Sequence, residues 1–160
     1  VQMTLTTYDE YLCRKLEPNV STTRERFEVL MRCKELEIPT LVWMTPILPF
    51  INDTRENIEG LLDYCLLAGV QGILVFDVGV TLREGDREYF YQALDRDFPG
   101  IRQKYISTYG NAYDIPSPYA KELMALIQNT CVANGILCSP KECFTYLHEF
   151  PERYVQQTLF

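Results

Sequence analysis

The sequence predicts an α/β fold in which parallel strands are joined by crossover helices. An alternating β-branched stretch at 1–7 predicts a strand, and continuous apolar runs at 40–44 and 70–78 predict two buried strands. Segments of helical periodicity lie between them. The connections are only a few residues long, which favours right-handed βαβ crossovers and a parallel sheet. With 160 residues, of which 47% are hydrophobic and 23% charged, the chain has the composition of a globular domain.

Two helices are predicted between the three strands. The first covers 23–37 and begins at a capping-box pattern, in which Thr22 is followed three residues later by Glu25. The second begins after Asp53, an N-cap residue type, and ends at Gly69, which is typical of a C-terminal cap. Each helix has apolar side chains at helical spacing and is therefore expected to bury one face against the sheet.

Beyond residue 80 the pattern changes to helices and loops. Helical spacing predicts helices over 86–98 and 99–109, and serine-proline pairs at 117–118 and 139–140 predict the starts of two more. Six tyrosines lie between residues 89 and 119. These rings either pack between the helices and the sheet, which we favour, or form a surface for a partner or a neighbouring domain.

Composition argues against several classes of function. With 15 basic and 22 acidic residues the formal net charge is -7, which disfavours nucleic-acid binding by this segment. No apolar run reaches the ~18 residues of a membrane span and no signal-peptide pattern is present, so we expect a cytoplasmic protein without a membrane partner. The sequence also lacks the motifs for dinucleotide binding, for the phosphate-binding P-loop and for the α/β-hydrolase nucleophile.

The cysteines predict no metal site. In a chain expected in the cytoplasm they should be reduced, with Cys33 and Cys65 behaving as small core hydrophobes. Cys131, Cys138 and Cys143 form a C-x6-C-x4-C run, which matches neither zinc nor iron–sulfur spacings. We favour packing of the C-terminal helices as its role, with a metal site as the alternative. The single histidine excludes any two-histidine metal site.

Candidate ligand-binding residues lie at the ends of the predicted strands. In barrel-like α/β proteins functional groups cluster at the carboxyl ends of parallel strands. Here these ends carry Thr6, Thr7, Thr45 and Asp77, whose hydroxyls and carboxylate are able to hydrogen-bond a ligand. We predict these four as cofactor-binding residues and assign no catalytic residue. The alternative interpretation is that the threonines satisfy loop backbone groups and that Asp77 caps a turn.

The beginning of the sequence leads us to expect a longer parent protein. Val1 stands where an initiator methionine is usual, and the chain opens directly on a strand pattern. Parallel strands are normally buried, and a bare strand edge invites pairing with another chain. We therefore expect the first strand, or the apolar face beside it, to be covered by a preceding segment or by a second copy of the chain.

Several short segments have a characteristic order and spacing. They are LCRKLEP at 12–18, TPILPFIND at 45–53, VTLREG at 80–85, FPG at 98–100, YGNAY at 109–113 and PSP at 116–118. Together they resemble the second half of a radical S-adenosylmethionine protein of the spore photoproduct lyase-like family. The resemblance extends over nearly the whole chain.

The resemblance implies a fold and a cofactor. Residues 1–81 would form the C-terminal half of a partial (β/α)6 TIM-like barrel, and residues 82–160 a helical C-terminal extension. The four strand-end residues would face bound S-adenosylmethionine. In such enzymes a 4Fe-4S cluster cleaves this cofactor reductively to a 5′-deoxyadenosyl radical, which abstracts hydrogen from a substrate.

The cluster itself is not expected in this chain. The family holds it with a C-x3-C-x2-C loop, a spacing that the six cysteines here do not contain. The resemblance therefore implies that a preceding half-barrel of the same protein binds the cluster, and that this chain alone is inactive and binds neither group. A different class of function stays open: a stand-alone α/β domain that binds a small ligand or a protein without catalysis.

Overall fold

The computed structural model describes residues 1–83 and 85–149 and shows a mixed α/β fold, which confirms the predicted class. Residue 84 and residues 150–160, which belong to the predicted extension, lie outside the described residues. The elements, in chain order, are β1 (Gln2–Thr4), α1 (Glu10–Leu16), α2 (Thr23–Glu35), β2 (Leu41–Trp43), α3 (Arg55–Ala68), β3 (Gly72–Leu74), β4 (Gly79–Thr81), α4 (Asp86–Asp97), α5 (Ile101–Tyr109), β5 (Asp114–Pro116), α6 (Ala120–Asn134) and α7 (Pro140–His148).

Three parallel strands form the main sheet, in the order β1-β2-β3. Met3, Val42 and Ile73 lie side by side across it. Leu137 then adds a parallel bridge beyond β3, because its carbonyl accepts from the Ile73 N–H at 2.8 Å and its own N–H donates to the Gln71 carbonyl at 3.0 Å. The parallel sheet is therefore confirmed, whereas a half-barrel built on it stays a prediction.

Helices cover both faces of the main sheet. Buried side chains of α2, α3 and α6 form a hydrophobic core with Val42 and Ile73 on one face. On the other face α7 brings Cys143 against Leu41 and Leu74. Burial on both faces explains why β2 and β3 have continuous apolar sequences. Since α6 follows residue 81, the predicted extension contributes a helix to the core of the α/β part.

Between β3 and α6 the chain forms a distinct unit, which we call the insertion (residues 79–116). Its strands β4 and β5 pair antiparallel, with Val80 opposite Ile115. A second hydrophobic core includes Tyr91, Leu94 and Tyr105 from α4 and α5. The expectation of only helices and loops after residue 80 missed both strands, because three-residue strands are too short to show a two-residue periodicity.

The helix ends test the capping predictions. The capping box of α2 forms as expected: Thr22 Oγ1 accepts from the Glu25 N–H, and Glu25 Oε2 accepts from the Thr22 N–H at 2.7 Å. Gly69 ends α3 in a left-handed conformation, also as expected. The prediction that Asp53 caps α3 is wrong, because Thr54 is the cap and accepts a backbone N–H of the first turn.

Helix α1 was not predicted, although its signal is present in the sequence. The Asp9 carboxylate accepts from the Leu12 N–H at 2.6 Å and so caps the helix. Seven residues are too few for a clear apolar stripe, which is why this helix escapes a search for periodicity. None of the helices within the described residues combines the length and the apolar run that crossing a bilayer requires.

Candidate functional site

A cavity of about 570 Å³ lies at the carboxyl ends of β2 and β3. One wall is formed by the residues that follow these strands, and the opposite wall by the antiparallel strands of the insertion. The lining residues are Thr45, Pro46, Phe76, Asp77, Gly79, Val80, Thr81, Asp114, Ile115 and Pro116. This volume is within the usual range for small-molecule sites, about 300–1,000 Å³. The position agrees with the rule that ligands bind outside the carboxyl ends of parallel strands.

Two of the four predicted residues, Thr45 and Asp77, line this cavity. Thr45 is half-buried and Asp77 is exposed. Asp77 Oδ1 accepts from the N–H of Val78 at 2.7 Å, which orients the carboxylate. An ionised carboxylate has room for further donors. Together with Asp114 on the insertion, Asp77 makes the polar part of the cavity acidic, so it favours a ligand with amine or hydroxyl donors.

The other two predicted residues, Thr6 and Thr7, are buried and are not part of the cavity lining. Thr6 Oγ1 donates to Glu17 Oε1 at 3.1 Å, and Thr7 Oγ1 accepts from the Asn52 side-chain amide at 3.0 Å. Both hydroxyls therefore have partners within the protein, but these partners are side chains and not the loop backbone groups of the alternative interpretation.

Two buried asparagines, Asn52 and Asn57, hold the carboxyl end of β1. Both side-chain amides donate to the Thr6 carbonyl, at 3.0 and 2.9 Å. Asn52 Oδ1 also accepts from the Leu48 N–H at 2.6 Å, and Asn57 Oδ1 accepts from the Tyr8 N–H at 2.6 Å. Neither asparagine is among the site residues predicted from the sequence. The sequence contains one indication of Asn52, which is its position at the end of the proline-rich loop that follows β2.

An ion pair lies beside this end of β1. Arg26 of α2 contacts Glu17 Oε2 at 2.5 Å, and its other terminal nitrogen donates to the Thr4 carbonyl at 3.1 Å. The Arg26 side chain is only 12% exposed. Because Glu17 also accepts from the Thr6 hydroxyl, the pair links α2 to β1 and to the segment after α1. We assign it a structural role.

The insertion and the residue that directly follows it, Ser117, are attached to the loop after β2 by two buried hydrogen bonds. Ser117 Oγ donates to Asp53 Oδ2 at 2.5 Å, and Tyr105 Oη donates to the Pro49 carbonyl at 2.8 Å. The Phe50 ring packs edge-on against Tyr105. Burial raises the pKa of both Asp53 and Tyr105 above their ordinary values. These contacts fix the insertion relative to the strand ends and so define the cavity.

Asp53 is expected to make stability depend on pH. The pKa of Asp53 is raised in the folded state above its unfolded value of 3.8. The carboxyl group therefore contributes stability that is fully present below pH 3.8 and is lost as the pH rises through the folded pKa. Asp53→Asn keeps an acceptor for Ser117 and removes this titration. The measurement is urea unfolding of the wild type and of Asp53→Asn at a series of pH values. We expect the free energy of unfolding of the wild type, minus that of Asp53→Asn, to fall as the pH rises from 3 to 7.

The matched control for this experiment is Asp63→Asn, which changes an exposed carboxylate on α3. The difference in unfolding free energy between the wild type and Asp63→Asn should not fall with pH as the difference for Asp53→Asn does. A difference for Asp53→Asn that is constant with pH, or that rises with pH, contradicts the assignment.

The described residues do not fit a 4Fe-4S cluster. Within residues 1–83 and 85–149, no three metal-ligating side chains are close enough to share an ion. Five of the six cysteines are buried, and burial raises the pKa of Cys65 to about 12, which disfavours the thiolate that a metal needs. We therefore assign no cluster ligand among these residues.

Comparison with known proteins identifies similar mycobacterial proteins. The chain is similar to uncharacterized protein Mb2609c of Mycobacterium bovis and to uncharacterized proteins MT2655 and Rv2578c of Mycobacterium tuberculosis. Each is 28% identical over 123 residues, which cover 77% of this chain but only 36% of the relative. The chain thus matches little more than a third of these longer proteins. No family model and no solved structure matches the chain.

Proposed function

We propose that this chain is the C-terminal part of a radical S-adenosylmethionine enzyme of the spore photoproduct lyase-like family, and that its strand-end cavity forms part of the cofactor and substrate site. One observation carries the proposal: Thr45 and Asp77, which follow neighbouring parallel strands, meet in a cavity at the carboxyl ends of those strands. The segment TPILPFIND, which carries much of the resemblance, begins at this cavity and contains Asn52 and Asp53.

The chemistry of the cavity suits S-adenosylmethionine. The cofactor carries a cationic amino group, a sulfonium, ribose hydroxyls and an adenine ring. Asp77 would accept hydrogen bonds from the amino group or the ribose, with Thr45 as a second polar partner. Phe76, Val80 and Ile115 supply apolar surface for the ring. When bound in such enzymes, the cofactor is the source of the 5′-deoxyadenosyl radical that abstracts hydrogen from the substrate.

A preceding half-barrel is the second part of the proposal. It would hold the 4Fe-4S cluster and pair with β1, whose hydrogen bonds within the described sheet are made to β2 on one side. The length of the mycobacterial relatives leaves room for such a segment, because the match covers only 36% of each of them. The reaction and its substrate are those of the whole protein and are part of the proposal.

Substitution of Asp77 tests the role of the cavity. In the longer polypeptide, reconstituted with its cluster, we expect Asp77→Ala to weaken S-adenosylmethionine binding by about 10- to 100-fold, the usual effect of losing one charge-assisted hydrogen bond. The measurement is equilibrium binding under anaerobic conditions. Asp63→Ala, an exposed carboxylate on α3, is the matched control and should bind as the wild type. Equal affinity for Asp77→Ala and wild type contradicts the assignment.

A stand-alone binding domain is the second candidate, and one observation favours it. The chain supplies two opposite walls of the strand-end cavity, one from the residues that follow β2 and β3 and one from the insertion. In this case the isolated chain binds a small ligand at the cavity by itself, and binding is lost in Asp77→Ala. The radical-enzyme proposal expects the opposite for the isolated chain, which should bind no S-adenosylmethionine.

A further inference from the structure

The end of α6 brings two cysteines together. Gly135 takes a left-handed conformation with φ 67° and the N–H of Ile136 donates to the Cys131 carbonyl at 3.0 Å, so the chain turns back on itself. Leu137 then joins the main sheet. Cys138 consequently returns beside the last turn of α6, and its side chain packs against the hydrophobic core that contains Cys131.

The two thiols have very different access to solvent. Cys131 is fully buried in the core between α3 and α6, whereas Cys138 is half-buried and lines a cavity of about 500 Å³ together with Gln128 and Glu142. The other four cysteines, Cys13, Cys33, Cys65 and Cys143, are all buried. Cys138 is therefore the cysteine that a reagent in solution reaches first.

The surroundings also make Cys138 the more acidic thiol of the pair. Interaction with the neighbouring Cys131 thiol lowers the pKa of Cys138, although partial burial and the nearby Glu142 carboxylate act in the opposite direction. The same interaction and burial raise the pKa of Cys131. In addition, Cys138 directly precedes Ser139, the N-cap of α7, and the positive end of a helix dipole favours a thiolate.

We propose that Cys131 and Cys138 form a dithiol site that reacts with low-molecular-weight disulfides, with Cys138 as the attacking thiol and Cys131 as the resolving thiol. The Cys138 thiolate attacks one sulfur of the small disulfide, forms a mixed disulfide and releases one thiolate. Cys131 then attacks the Cys138 sulfur and releases the second. The small disulfide is reduced to two thiols, which take up both protons, and the protein is oxidised by two electrons to the Cys131–Cys138 disulfide.

Neither cysteine lines the strand-end cavity. The dithiol site can therefore be tested without a cluster and without S-adenosylmethionine. The reduced, folded chain is incubated with excess oxidised glutathione, quenched with acid and mapped by mass spectrometry. We expect the wild type to lose two hydrogen atoms and to yield a linked pair of peptides containing Cys131 and Cys138. Cys131→Ala should stop at a stable glutathione adduct on Cys138, and Cys138→Ser should form neither product.

Two further measurements keep the test decisive. Cys33→Ala, which removes a buried thiol on α2, is the matched control and should form the same disulfide as the wild type. If Cys131→Ala fails to fold, brief labelling of the native wild type with a maleimide replaces it, and Cys138 should react before every other cysteine. A Cys138–Cys143 disulfide, a persistent adduct in the wild type, or labelling of another cysteine first would overturn the proposal.

Discussion

Replacing Asn52 with alanine is expected to lower the free energy of unfolding by about 2–4 kcal/mol. The Asn52 side chain is 1% exposed and makes three hydrogen bonds, to the Thr6 carbonyl, the Thr7 hydroxyl and the Leu48 N–H. Alanine leaves the fully buried Thr7 hydroxyl and the N–H of the half-buried Leu48 without this partner. Each unsatisfied buried group costs about 1–3 kcal/mol. The Thr6 carbonyl keeps its hydrogen bond from the Asn57 side-chain amide.

Equilibrium urea unfolding measures this effect. The matched control is Asn134→Ala at the exposed end of α6, where the side chain makes a solvent-accessible hydrogen bond with the Thr130 carbonyl. We expect the control to change stability by no more than about 0.5 kcal/mol. If Asn52→Ala is as mild as this control, the asparagines do not hold the end of β1 in the way described.

Gly79→Ala is expected to separate the two strands of the insertion. A Cβ atom at Gly79 would lie 2.5 Å from the Ile115 carbonyl oxygen and 2.9 Å from Pro116 Cα. Both atoms belong to the backbone of β5, so no side-chain rotation relieves the clash. Overpacking of this kind costs about 1–3 kcal/mol. Because Gly79, Ile115 and Pro116 also line the strand-end cavity, the substitution should deform the cavity as well.

Hydrogen exchange of individual amides detects this separation. In the wild type the Ser117 N–H donates to the Val78 carbonyl at 2.7 Å and the Leu82 N–H donates to the Tyr113 carbonyl at 2.9 Å. Both amides should exchange faster in Gly79→Ala, while amides of the main sheet keep their protection. Thr81→Ala, an exposed position on the same strand, is the control. Unchanged exchange at both amides in Gly79→Ala contradicts the expected clash.

The elements that the sequence predicts correctly are those with strong local signals. The capping box at Thr22 and Glu25, the terminal Gly69 and the apolar runs before Thr45 and Asp77 each depend on residues close in the chain. Such signals also place Thr45 and Asp77 at strand ends. Their meeting in one cavity follows from the parallel arrangement, which the short connections indicate.

The features that escape prediction depend on contacts between distant residues. The Thr7 hydroxyl and the Thr6 carbonyl accept from Asn52 and Asn57, more than 40 positions later in the chain. The Thr6 hydroxyl donates to Glu17. The wall that the insertion contributes depends on the pairing of β4 with β5, two strands too short to be recognised. Likewise, Leu137 joins the sheet as one bridge rather than as a strand. None of these contacts leaves a periodic pattern in the sequence.

Reductive cleavage of S-adenosylmethionine tests the proposed function most directly. The protein to measure is the longer polypeptide in which this chain follows a segment with a C-x3-C-x2-C motif, reconstituted anaerobically with iron and sulfide. We expect cluster absorbance and reductant-dependent formation of 5′-deoxyadenosine, whereas the 160-residue chain alone should give neither. A parent protein without the motif, or a reconstituted protein that holds a cluster but forms no 5′-deoxyadenosine, would contradict the proposal.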